Sequence, residues 1–371
     1  MKVLVTGAGG FIGRNLVAHL ECLAGVETLC CGRDTPQELL EAYCGMCDFV
    51  FHLAGVNRPQ HPQEFMEGNA GFTAKLIQML RDHSNCCPFC YASSIQAGQD
   101  HPYGRSKKAG EELVSAYGRK EGVRVVIYRF PNIFGKWCRP DYNSVIATFC
   151  HRIARGLPVQ VHDRSTKLQL AYIDDVIKEL VRAMNGQASA DADGYGVIRP
   201  VYEKTLGETV DLIRDFREGR DSLMLPDQTQ GSFEKKLYST YVSYLPADAC
   251  VYPLRTHTDE RGSFTEMLKS ADRGQVSVNL SEAGVTKGNH WHHTKTEKFL
   301  VVSGQGVISL RRHGSSETVT YPVSGHKPQI VEIPPGYVHA ITNVGDTKLV
   351  TVIWCSECFD EKRPDTIYEM V

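Results

Sequence analysis

The sequence of 371 residues lacks a strong excess of either charge, since 41 Lys and Arg residues oppose 43 Asp and Glu residues. Without a basic block, the chain has no electrostatic footprint for nucleic acid. No stretch approaches the ~18 consecutive apolar residues of a membrane-spanning helix. The opening segment passes from Met1 into a glycine turn at Gly7, too early for a signal peptide. These absences predict a cytoplasmic protein with neither nucleic acid nor a membrane as a partner.

Cysteine, in contrast, is abundant, with thirteen residues scattered along the chain. Three Cys-x-x-Cys pairs occur, at Cys44/Cys47, Cys87/Cys90 and Cys355/Cys358. Two such pairs could in principle form a zinc knuckle. The pairs are far apart, however, and a reduced thiol in an apolar run packs as a small hydrophobic group. We therefore favour packing and a reducing compartment over a cysteine metal site.

The N-terminal segment has the context of a dinucleotide-binding turn. Residues Lys2 to Thr6 predict a short buried strand, and an amphipathic helix follows the run from Gly7 through Gly10, Phe11 and Ile12 to Gly13. Glycines at these positions let the backbone approach a pyrophosphate, whose negative charge faces the free N–H groups of the helix N-terminus. Strand, glycine turn and helix together therefore predict a nicotinamide dinucleotide site.

The end of the second predicted strand, Glu27 to Cys31, bears on the choice of cofactor. The strand is followed by Gly32, Arg33 and Asp34. An acidic side chain here would bind the ribose hydroxyls of NAD, whereas the guanidinium fork of Arg33 suits the 2′-phosphate of NADPH. We predict NADPH, with the adjacent Asp34 as the feature that leaves NAD open.

Predicted strands and helices alternate through the first part of the chain. Further strands are predicted at Phe49 to Gly55, Phe89 to Ser93 and Val123 to Arg129, with helices at about Pro62 to Asp82 and from Tyr103 to about Lys120. This alternation predicts an α/β Rossmann-type fold, a doubly wound parallel sheet with helices on both faces.

Tyr103 and Lys107 are four positions apart and therefore lie on one face of the predicted helix. A phenol ionises near pH ~10, and a neighbouring ammonium is expected to lower that pKa. Such a tyrosine could exchange a proton with a carbonyl or hydroxyl oxygen that a serine, Ser93 or Ser94, also holds. The alternative is an ordinary exposed helix pair.

The order of several short motifs resembles the extended short-chain dehydrogenase/reductase family. The matching elements are Thr6-Gly7-x-x-Gly10-x-x-Gly13, His52-Leu53-Ala54-Gly55, Ser93-Ser94, Tyr103-x-x-x-Lys107, Arg129-x-x-Asn132-x-x-Gly135 and Ala171-Tyr-Ile-Asp174-Asp175-Val. The resemblance implies that Tyr103 is the acid/base and that Lys107 binds the nicotinamide ribose. It also implies that Ser94, with Ser93 as second choice, binds the reacting oxygen.

The same resemblance implies the cofactor contacts, which are Gly7, Gly10, Phe11, Ile12, Gly13, Arg33, Leu53, Ala54 and Lys107. One departure is the short segment between Arg33 and Phe49, which indicates that a strand usual in the family is missing. Extended members mostly act on nucleotide-activated sugars. In agreement, residues 143–175 contain four cations suited to a diphosphate, Arg152, Arg155, Arg164 and Lys167, although solvated surface charges are the alternative.

After Tyr241 the pattern changes to short strands separated by turns. Strands are predicted at Val276 to Leu280, Lys298 to Val302, Gly306 to Leu310, Gln329 to Ile333 and Lys348 to Ile353. This spacing predicts an all-β sandwich or barrel. We place the domain boundary between residues 243 and 244, with a reductase domain at 1–243 and a β domain at 244–371.

The β domain contains a candidate metal site. His290 and His292 are two apart, so in a strand they point the same way. Glu297 and His339 could complete a shell of three nitrogens and one oxygen, a set that suits zinc, iron or manganese. The spacing resembles the cupin pattern, and zinc is our prediction, with another divalent metal possible. The alternative is that His290 and His292 are ordinary surface residues, which is the usual case for an isolated His-x-His.

The segment that leads into this domain has the pattern Asp259-x-Arg261-Gly262-x-Phe264. It resembles the cupin epimerases that act on nucleotide 4-keto-6-deoxy sugars. A 4-keto group makes the C3 hydrogen acidic, so a base can remove it and return it on the other face. The spacing does not decide which residue is that base, and His293, Lys287 and Tyr337 are all near the metal motif.

Taken as a whole, the chain resembles bifunctional enzymes of capsular polysaccharide and O-antigen synthesis. The resemblance implies C3 epimerisation of a UDP-2-acetamido-2,6-dideoxy-4-hexulose, then NADPH-dependent reduction at C4 to UDP-N-acetyl-6-deoxy-L-talosamine, towards UDP-N-acetyl-L-fucosamine. It also implies a homodimer. Two alternatives are a single-activity reductase with a structural or dimerising cupin, and a non-catalytic nucleotide sensor. The intact Ser94, Tyr103 and Lys107 set argues against a sensor.

Overall fold

The computed structural model describes residues 1–371, which divide into two compact units. The first unit comprises Met1–Arg214 and Gly231–Pro246, and the second comprises Asp215–Gln230 and Ala247–Val371. Segment 215–230 therefore belongs to the second unit although it precedes the last part of the first. The functional boundary between residues 243 and 244 stays a prediction.

A five-stranded parallel sheet forms the centre of the first unit. Its strands are β1 (Lys2–Thr6), β2 (Glu27–Cys31), β3 (Phe49–His52), β4 (Phe89–Ser94) and β5 (Val125–Phe130), in the order β2-β1-β3-β4-β5. A three-stranded sheet contains β6 (Asn132–Phe134), β7 (Lys167–Tyr172) and β8 (Tyr202–Thr205). The Rossmann-type parallel sheet predicted from the sequence is confirmed.

The helices of the chain are α1 (Phe11–Leu20), α2 (Gln37–Met46), α3 (Gln63–Met66), α4 (Phe72–Asp82), α5 (Pro102–Glu121), α6 (Val145–Ala154), α7 (Ile173–Met184), α8 (Leu206–Ser222) and α9 (Phe233–Val242). A π-helical turn, Glu67–Gly71, joins α3 to α4. Between β2 and β3 the chain forms α2 and no strand, which agrees with the missing strand inferred from the sequence. None of the helices combines the length and apolar character needed to cross a membrane.

Alternating side chains of the central strands create two apolar layers. Val3, Val5 and Phe51 pack in one buried cluster with α1 and α7, while Leu4 and Val50 pack in another with α2, α4 and α5. Successive residues of a strand point to opposite faces, so both faces of this sheet are covered. The sheet thus provides a rigid platform whose carboxyl edge carries the glycine turn and the end of β4.

The second unit is built from two antiparallel sheets. One contains β9 (Thr256–Asp259), β10 (Gly262–Ser270), β11 (Gly274–Ser281), β13 (Glu297–Ser303), β16 (Ile330–Ile333) and β18 (Leu349–Cys355). The other contains β12 (Thr286–Trp291), β14 (Gln305–Arg312), β15 (Thr318–Ser324), β17 (Tyr337–Asn343) and β19 (Ile367–Tyr368). A core of Phe299, Val301, Ile308, Leu310 and Ile341 is buried in this unit. The all-β prediction is confirmed, and the architecture is cupin-like.

The cysteines of the two N-terminal Cys-x-x-Cys pairs pack as apolar side chains. All thirteen cysteines are free, and Cys44, Cys47, Cys87 and Cys90 are buried. The Cys47 and Cys87 sulfurs are 3.7 Å apart. Cys44, Cys47 and Cys87 lie in one apolar cluster of the sheet and Cys90 in the other, which fits the packing interpretation.

Candidate functional sites

The glycine turn after β1 has the tight geometry that only glycine permits. Gly7 has a φ of +71°, and a Cβ atom on it would lie 2.7 Å from the amide nitrogen of Ala54. A Cβ on Gly13 would collide with the carbonyl oxygen of Gly7. The Gly10 N–H donates to that same oxygen at 2.9 Å. The close approaches at Gly7 and Gly13 explain why the chain has glycine at these two positions.

The same turn presents an anion-binding helix end. Helix α1 begins at Phe11, and its N-cap Gly10 has no side chain to accept a hydrogen bond. The N–H groups of Phe11 and Ile12 are therefore free to bind a phosphate. A Cβ on Gly9 would meet no atom within 4 Å, so the outer side of the turn is open. These residues fit the pyrophosphate of a dinucleotide.

Other predicted cofactor residues surround this turn. The Leu53 N–H donates to the carbonyl oxygen of Thr6 at 3.2 Å, and the Ala54 N–H donates to the Thr6 hydroxyl at 3.3 Å. Arg33 is exposed just after β2, next to exposed Asp34. The structure thus brings the turn and the Leu53–Ala54 segment together, and it leaves the Arg33 side chain free for a phosphate.

Tyr103 and Lys107 lie on α5, opposite the end of β4. His101 caps the helix, because its Nδ1 accepts the Gly104 N–H at 3.1 Å. The Lys107 ammonium is buried and donates to the carbonyl oxygen of Ala92 at 2.9 Å. It lies 6.0 Å from the ring centre of Tyr103. The predicted pair therefore occupies one helix face and points towards the strand end that carries Ser94.

The pKa of Tyr103 is raised above its ordinary value because the ring is partly buried, although a hydrogen bond with Ser94 opposes this. The net lowering of this pKa expected beside Lys107 is not found, because desolvation of the phenolate is the largest cause of the shift. At neutral pH the phenol keeps its proton. Tyr103 is therefore suited to donate a proton to a developing alkoxide, with the Ser94 hydroxyl beside it.

The two serines at the end of β4 have different environments. Ser93 donates to the Glu111 carboxylate at 2.5 Å. Glu111 is buried and also accepts two hydrogen bonds from Arg129, at 2.9 and 2.6 Å, and one from Tyr195 at 3.2 Å. The Ser93 hydroxyl is thus engaged inside the protein, which leaves Ser94 as the serine that faces Tyr103.

Glu111 is a site residue that the sequence reasoning missed. Its spacing was a usable signal, because positions 103, 107 and 111 are successive i, i+4 positions on one helix face. Burial lowers the pKa of Lys107 to about 8, and the Glu111 charge opposes that shift. Glu111 therefore helps to keep Lys107 protonated at neutral pH.

We expect the reductase rate to fall as pH rises through about 8, since Lys107 loses its charge there. Glu111→Gln removes the charge that raises the pKa of Lys107, so the descending limb should move to lower pH. Initial rates of NADPH oxidation between pH 6 and 10 measure this shift. Glu112→Gln, an exposed neighbour on the same helix, should leave the profile in place. If the folded Glu111→Gln variant loses activity over the same pH range as wild type, Glu111 does not control the charge of Lys107.

Each of the four cations expected to bind a diphosphate has a partner in the structure, which favours the alternative of ordinary surface charges. Three of them pair with carboxylates, as Arg152 with Asp141, Arg164 with Asp211 and Lys167 with Glu203. The fourth, Arg155, donates to the carbonyl oxygens of His151 and Tyr244. Asp211, Glu203 and Tyr244 are 36 to 89 positions away from their partners, so the linear pattern could not reveal these contacts.

In the second unit the four predicted metal ligands form one cluster. His290 lies on β12 and His292 just after it, Glu297 begins β13, and His339 lies on β17. One donor atom from each of these residues lies within 4.8 Å of the others. A β-bulge separates Gly288 from His290, and a Cβ on Gly288 would lie 2.7 Å from the carbonyl oxygen of His339. Glycine at 288 thus allows β12 and β17 to approach.

Three of the four donor atoms of this cluster are buried without hydrogen-bond partners. They are Nε2 of His292, Nε2 of His339 and Oε2 of Glu297. The Glu297 oxygen lies 3.0 Å from the His339 nitrogen and 3.7 Å from the His292 nitrogen, without hydrogen-bond geometry. Buried polar atoms are nearly always satisfied, so lone pairs that converge in this way indicate a cation site.

Backbone carbonyls orient two of the histidines. His292 Nδ1 lies 2.5 Å from the carbonyl oxygen of Asp365, and His339 Nδ1 lies 3.2 Å from that of Tyr337. If each Nδ1 carries the proton, each Nε2 presents a lone pair to the cluster. The Asp365 carboxylate in turn accepts the N–H groups of His293 and Thr294. Asp365 is a supporting residue that no spacing in the sequence indicates.

The charge state of the cluster also fits a metal. Burial, together with His339 and His292, lowers the pKa of His290 to about 4, so this imidazole is neutral at pH 7 and ready to bind. The pKa of Glu297 is lowered, although burial opposes this, because His292 and His339 face its carboxylate. Three imidazoles and one carboxylate are an accepted zinc donor set.

The candidates for a C3 base differ in position. The Lys287 ammonium donates to Asn279 Oδ1 at 3.0 Å and to the carbonyl oxygen of Leu280 at 2.7 Å, and burial lowers its pKa. His293 is exposed, and Tyr337 is half-buried at the start of β17. Lys287 is the one of the three whose charged group is held by two acceptors between strands.

The Asp259 and Arg261 side chains of the lead-in pattern pair with each other. Arg261 Nη2 lies 2.6 Å from Asp259 Oδ2, and both side chains are about half exposed at the turn between β9 and β10. This pair holds the turn that precedes Gly262, whose φ of +128° favours glycine. The structure therefore assigns these residues at least a turn-forming role.

Two sequence profiles match the chain. The profile of the NAD dependent epimerase/dehydratase family matches residues 3–196, and the profile named polysaccharide biosynthesis C-terminal domain matches residues 257–367. The first covers the β1–β5 sheet, and the second covers the strands that hold the histidine and glutamate cluster. Both units thus have relatives.

Full-length relatives are also similar to the chain. The UDP-2-acetamido-2,6-beta-L-arabino-hexul-4-ose reductase of Pseudomonas aeruginosa is 44% identical over 366 residues, which cover 99% of this chain and 98% of the relative. The crystal structure of the capsular polysaccharide assembling protein CapF from Staphylococcus aureus is 49% identical and covers 100% of both chains, with a TM-score of 0.94.

A more distant structure, RMD from Pseudomonas aeruginosa complexed with NADPH, covers 66% of this chain and 99% of its own, at 22% identity and a TM-score of 0.52. It shares the fold alone. The family profile and the full-length relatives carry the assignment. The chain therefore belongs to the NAD dependent epimerase/dehydratase family, and within it the chain is a CapF/WbjC-type enzyme whose Rossmann-type unit is followed by a polysaccharide biosynthesis C-terminal domain.

Proposed function

We propose that this protein is a bifunctional nucleotide-sugar enzyme of capsule or O-antigen synthesis. Its β unit would epimerise C3 of a UDP-2-acetamido-2,6-dideoxy-4-hexulose, and its Rossmann-type unit would reduce the C4 ketone with NADPH. The product would be UDP-N-acetyl-6-deoxy-L-talosamine, towards UDP-N-acetyl-L-fucosamine. The 4-hexulose reductase named in Pseudomonas aeruginosa and the capsule assembly role named for CapF support this choice of substrate and pathway.

For the reduction, NADPH would supply a hydride to C4 when bound at the glycine turn. Tyr103 holds the proton that the C4 oxygen needs, because burial keeps its phenol protonated. Ser94 lies within hydrogen-bonding reach of that phenol and would hold the same oxygen. Lys107, buried beneath the pair, would bind the nicotinamide ribose and stabilise the phenolate that remains.

For the epimerisation, His290, His292, Glu297 and His339 would hold zinc or another divalent metal. When bound, the ion would supply Lewis acidity that stabilises negative charge on the C4 oxygen. The chain's own part is to orient the two imidazoles through the backbone carbonyls of Asp365 and Tyr337. The base that removes the C3 proton and returns it on the other face would be one of Lys287, His293 and Tyr337, the candidates near the metal motif in the sequence.

The observation that carries this proposal is the convergence of buried, unpaired donor atoms on the β unit of a reductase-like chain. It supports a metal-binding second site, and the resemblance of the Asp259-x-Arg261-Gly262-x-Phe264 pattern to the cupin epimerases makes epimerisation the proposed activity of that site. The proposed localisation is the cytoplasm, because free cysteines are typical of a reducing compartment. The proposed assembly is a homodimer, as the resemblance implies.

Incubating the full-length enzyme with the keto-sugar in D₂O, without NADPH, tests the epimerase half. Deuterium should enter C3 with wild-type enzyme, and the rate should fall at least about 100-fold in His290→Ala, because a ligand of the proposed ion is lost. Mass spectrometry of the sugar measures the incorporation. His326→Ala, an exposed histidine away from the cluster, is the matched control.

The outcome also separates the competing functions. No exchange by the wild-type enzyme, together with normal NADPH turnover, would leave the single-activity reductase with a structural cupin. Exchange that persists at the wild-type rate in His290→Ala would place the epimerase chemistry outside the metal cluster. Neither exchange nor turnover would leave the non-catalytic sensor.

A further inference from the structure

Two arginines of the Rossmann-type unit lie beside one tyrosine ring and have no acidic partner. The Arg58 guanidinium carbon is 5.6 Å from the ring centre of Tyr142, and that of Arg139 is 5.2 Å from the same centre. Both arginines are exposed and neither forms an ion pair, while Tyr142 is half-buried. This cluster of Arg58, Arg139 and Tyr142 is called the arginine clamp below.

The carboxylate nearest to the clamp in sequence is not available to neutralise it. Asp141, between Arg139 and Tyr142, pairs with Arg152 of α6 at 2.9 Å. The Asp141 N–H also donates to the Thr148 hydroxyl at 2.9 Å. Arg152 therefore anchors the loop that contains Arg139 and Tyr142, and it is not itself free to bind a phosphate.

The loop that presents Arg139 and Tyr142 is held in an unusual backbone conformation. Trp137 has a φ of +68° and Asp141 a φ of +52°, although neither residue is glycine. Such conformations are costly and persist where surrounding contacts impose them, often at binding sites. The Asp141 contacts to α6 are contacts of that kind, so Arg139 and Tyr142 lie in a restrained loop.

The clamp also lies on the same side of the unit as the reductase residues. Arg58 lies in the connection that follows β3. The same connection contains Gly55, which is next to the Lys107 ammonium: a Cβ atom on Gly55 would lie 3.1 Å from the Lys107 nitrogen. Arg139 follows β6, which is parallel to β7. Loops after the strands of the parallel sheet face its ligand side, so Arg58 lies on that side. Arg139 contacts the same Tyr142 ring and therefore lies beside it.

We propose that the arginine clamp binds the diphosphate of the nucleotide-sugar substrate, with Tyr142 against the nucleoside. This inference rests on the proposed function and names the residues that would recognise its substrate. Two like charges beside one ring repel each other, and an anion between them removes that repulsion. Guanidinium forks match phosphate oxygens with two parallel hydrogen bonds, which a lysine cannot provide.

The cofactor is a second possible source of the same phosphates. The free N–H groups at the start of α1 already provide for the cofactor's pyrophosphate, and Arg33 after β2 is placed for its 2′-phosphate. The clamp is formed by the loops after β3 and β6 instead. For this reason we assign it to the substrate, and the experiment includes the cofactor as a separate arm.

Calorimetric titrations of the full-length protein with UDP, UMP and NADPH test the assignment. Arg58→Gln and Arg139→Gln should each weaken UDP binding about tenfold or more, since each removes a charge-assisted contact to phosphate. UMP should lose less, and the dissociation constant for NADPH should change by less than twofold. Arg119→Gln, an exposed arginine at the far end of α5, is the matched control.

Several results would overturn the clamp. One is undetectable UDP binding by the wild-type protein. Another is UDP affinity retained within twofold when Arg58→Gln and Arg139→Gln are combined. The last is a loss of affinity confined to NADPH. The last result would assign the arginines to the cofactor. Thermal melts identify any variant that misfolds. A folded Arg139→Lys variant should still bind UDP more weakly than wild type, because lysine lacks the guanidinium fork. Turnover of the keto-sugar by wild-type enzyme is measured separately, so failure of the proposed function is distinguishable from failure of the clamp.

Discussion

Replacing Tyr103 by Phe is expected to reduce NADPH turnover by roughly 10²- to 10⁴-fold, the usual contribution of a positioned acid. The substitution removes one oxygen and keeps the ring that packs against Phe65 and His101. The fold and the glycine turn should therefore be unaffected, and the affinity for NADPH should stay within about twofold. Stopped-flow rates and cofactor titration by fluorescence measure the two quantities.

A tyrosine on the same helix provides the control for this variant. Tyr117 donates to the carbonyl oxygen of Asn85 at 3.2 Å on the buried side of α5. Tyr117→Phe loses one buried hydrogen bond, a cost of about 1 kcal/mol in stability, and should keep full turnover. Full turnover in Tyr103→Phe would remove Tyr103 from its proposed role and return the pair with Lys107 to an ordinary helix contact.

Features of the fold that depend on neighbouring residues were predictable from the sequence. The glycine turn before α1, the i, i+4 spacing of Tyr103 and Lys107, and the alternation of strands with helices all depend on short-range geometry. The five strands predicted in the β unit occur within two residues of their expected ends. Strand β9 contains no apolar residue, so no pattern could mark it, whereas β15 was missed although Val319, Tyr321 and Val323 alternate along it.

Features that depend on remote partners were not predictable in the same way. The pairing of Arg164 with Asp211 joins residues 47 positions apart, and Asp365 reaches His292 from 73 positions away. The direction of the Tyr103 pKa shift depends on burial, which no local pattern gives. Segment 215–230 joins the second unit through tertiary packing, which likewise has no signature in the linear sequence.

Glu297→Gln is expected to weaken zinc binding more than about 100-fold, because loss of a mere supporting partner already costs 10- to 100-fold. Gln keeps the size of the side chain, so the packing at the start of β13 should survive. It removes the negative charge that faces His292 and His339. Competition with a chromogenic chelator measures the affinity, and elemental analysis of the dialysed protein measures the metal content.

Metal binding should also appear as stability of the β unit. A ligand present at 1,000 times its dissociation constant stabilises the folded state by about 4 kcal/mol. A chelator should therefore lower the melting temperature of wild-type protein and of the His326→Ala control by several degrees. Glu297→Gln should melt at the lower temperature from the outset and respond little to chelator. One equivalent of tightly held zinc in folded Glu297→Gln would show that the buried, unpaired oxygen of Glu297 is not a ligand, and the cluster would then need a different fourth donor.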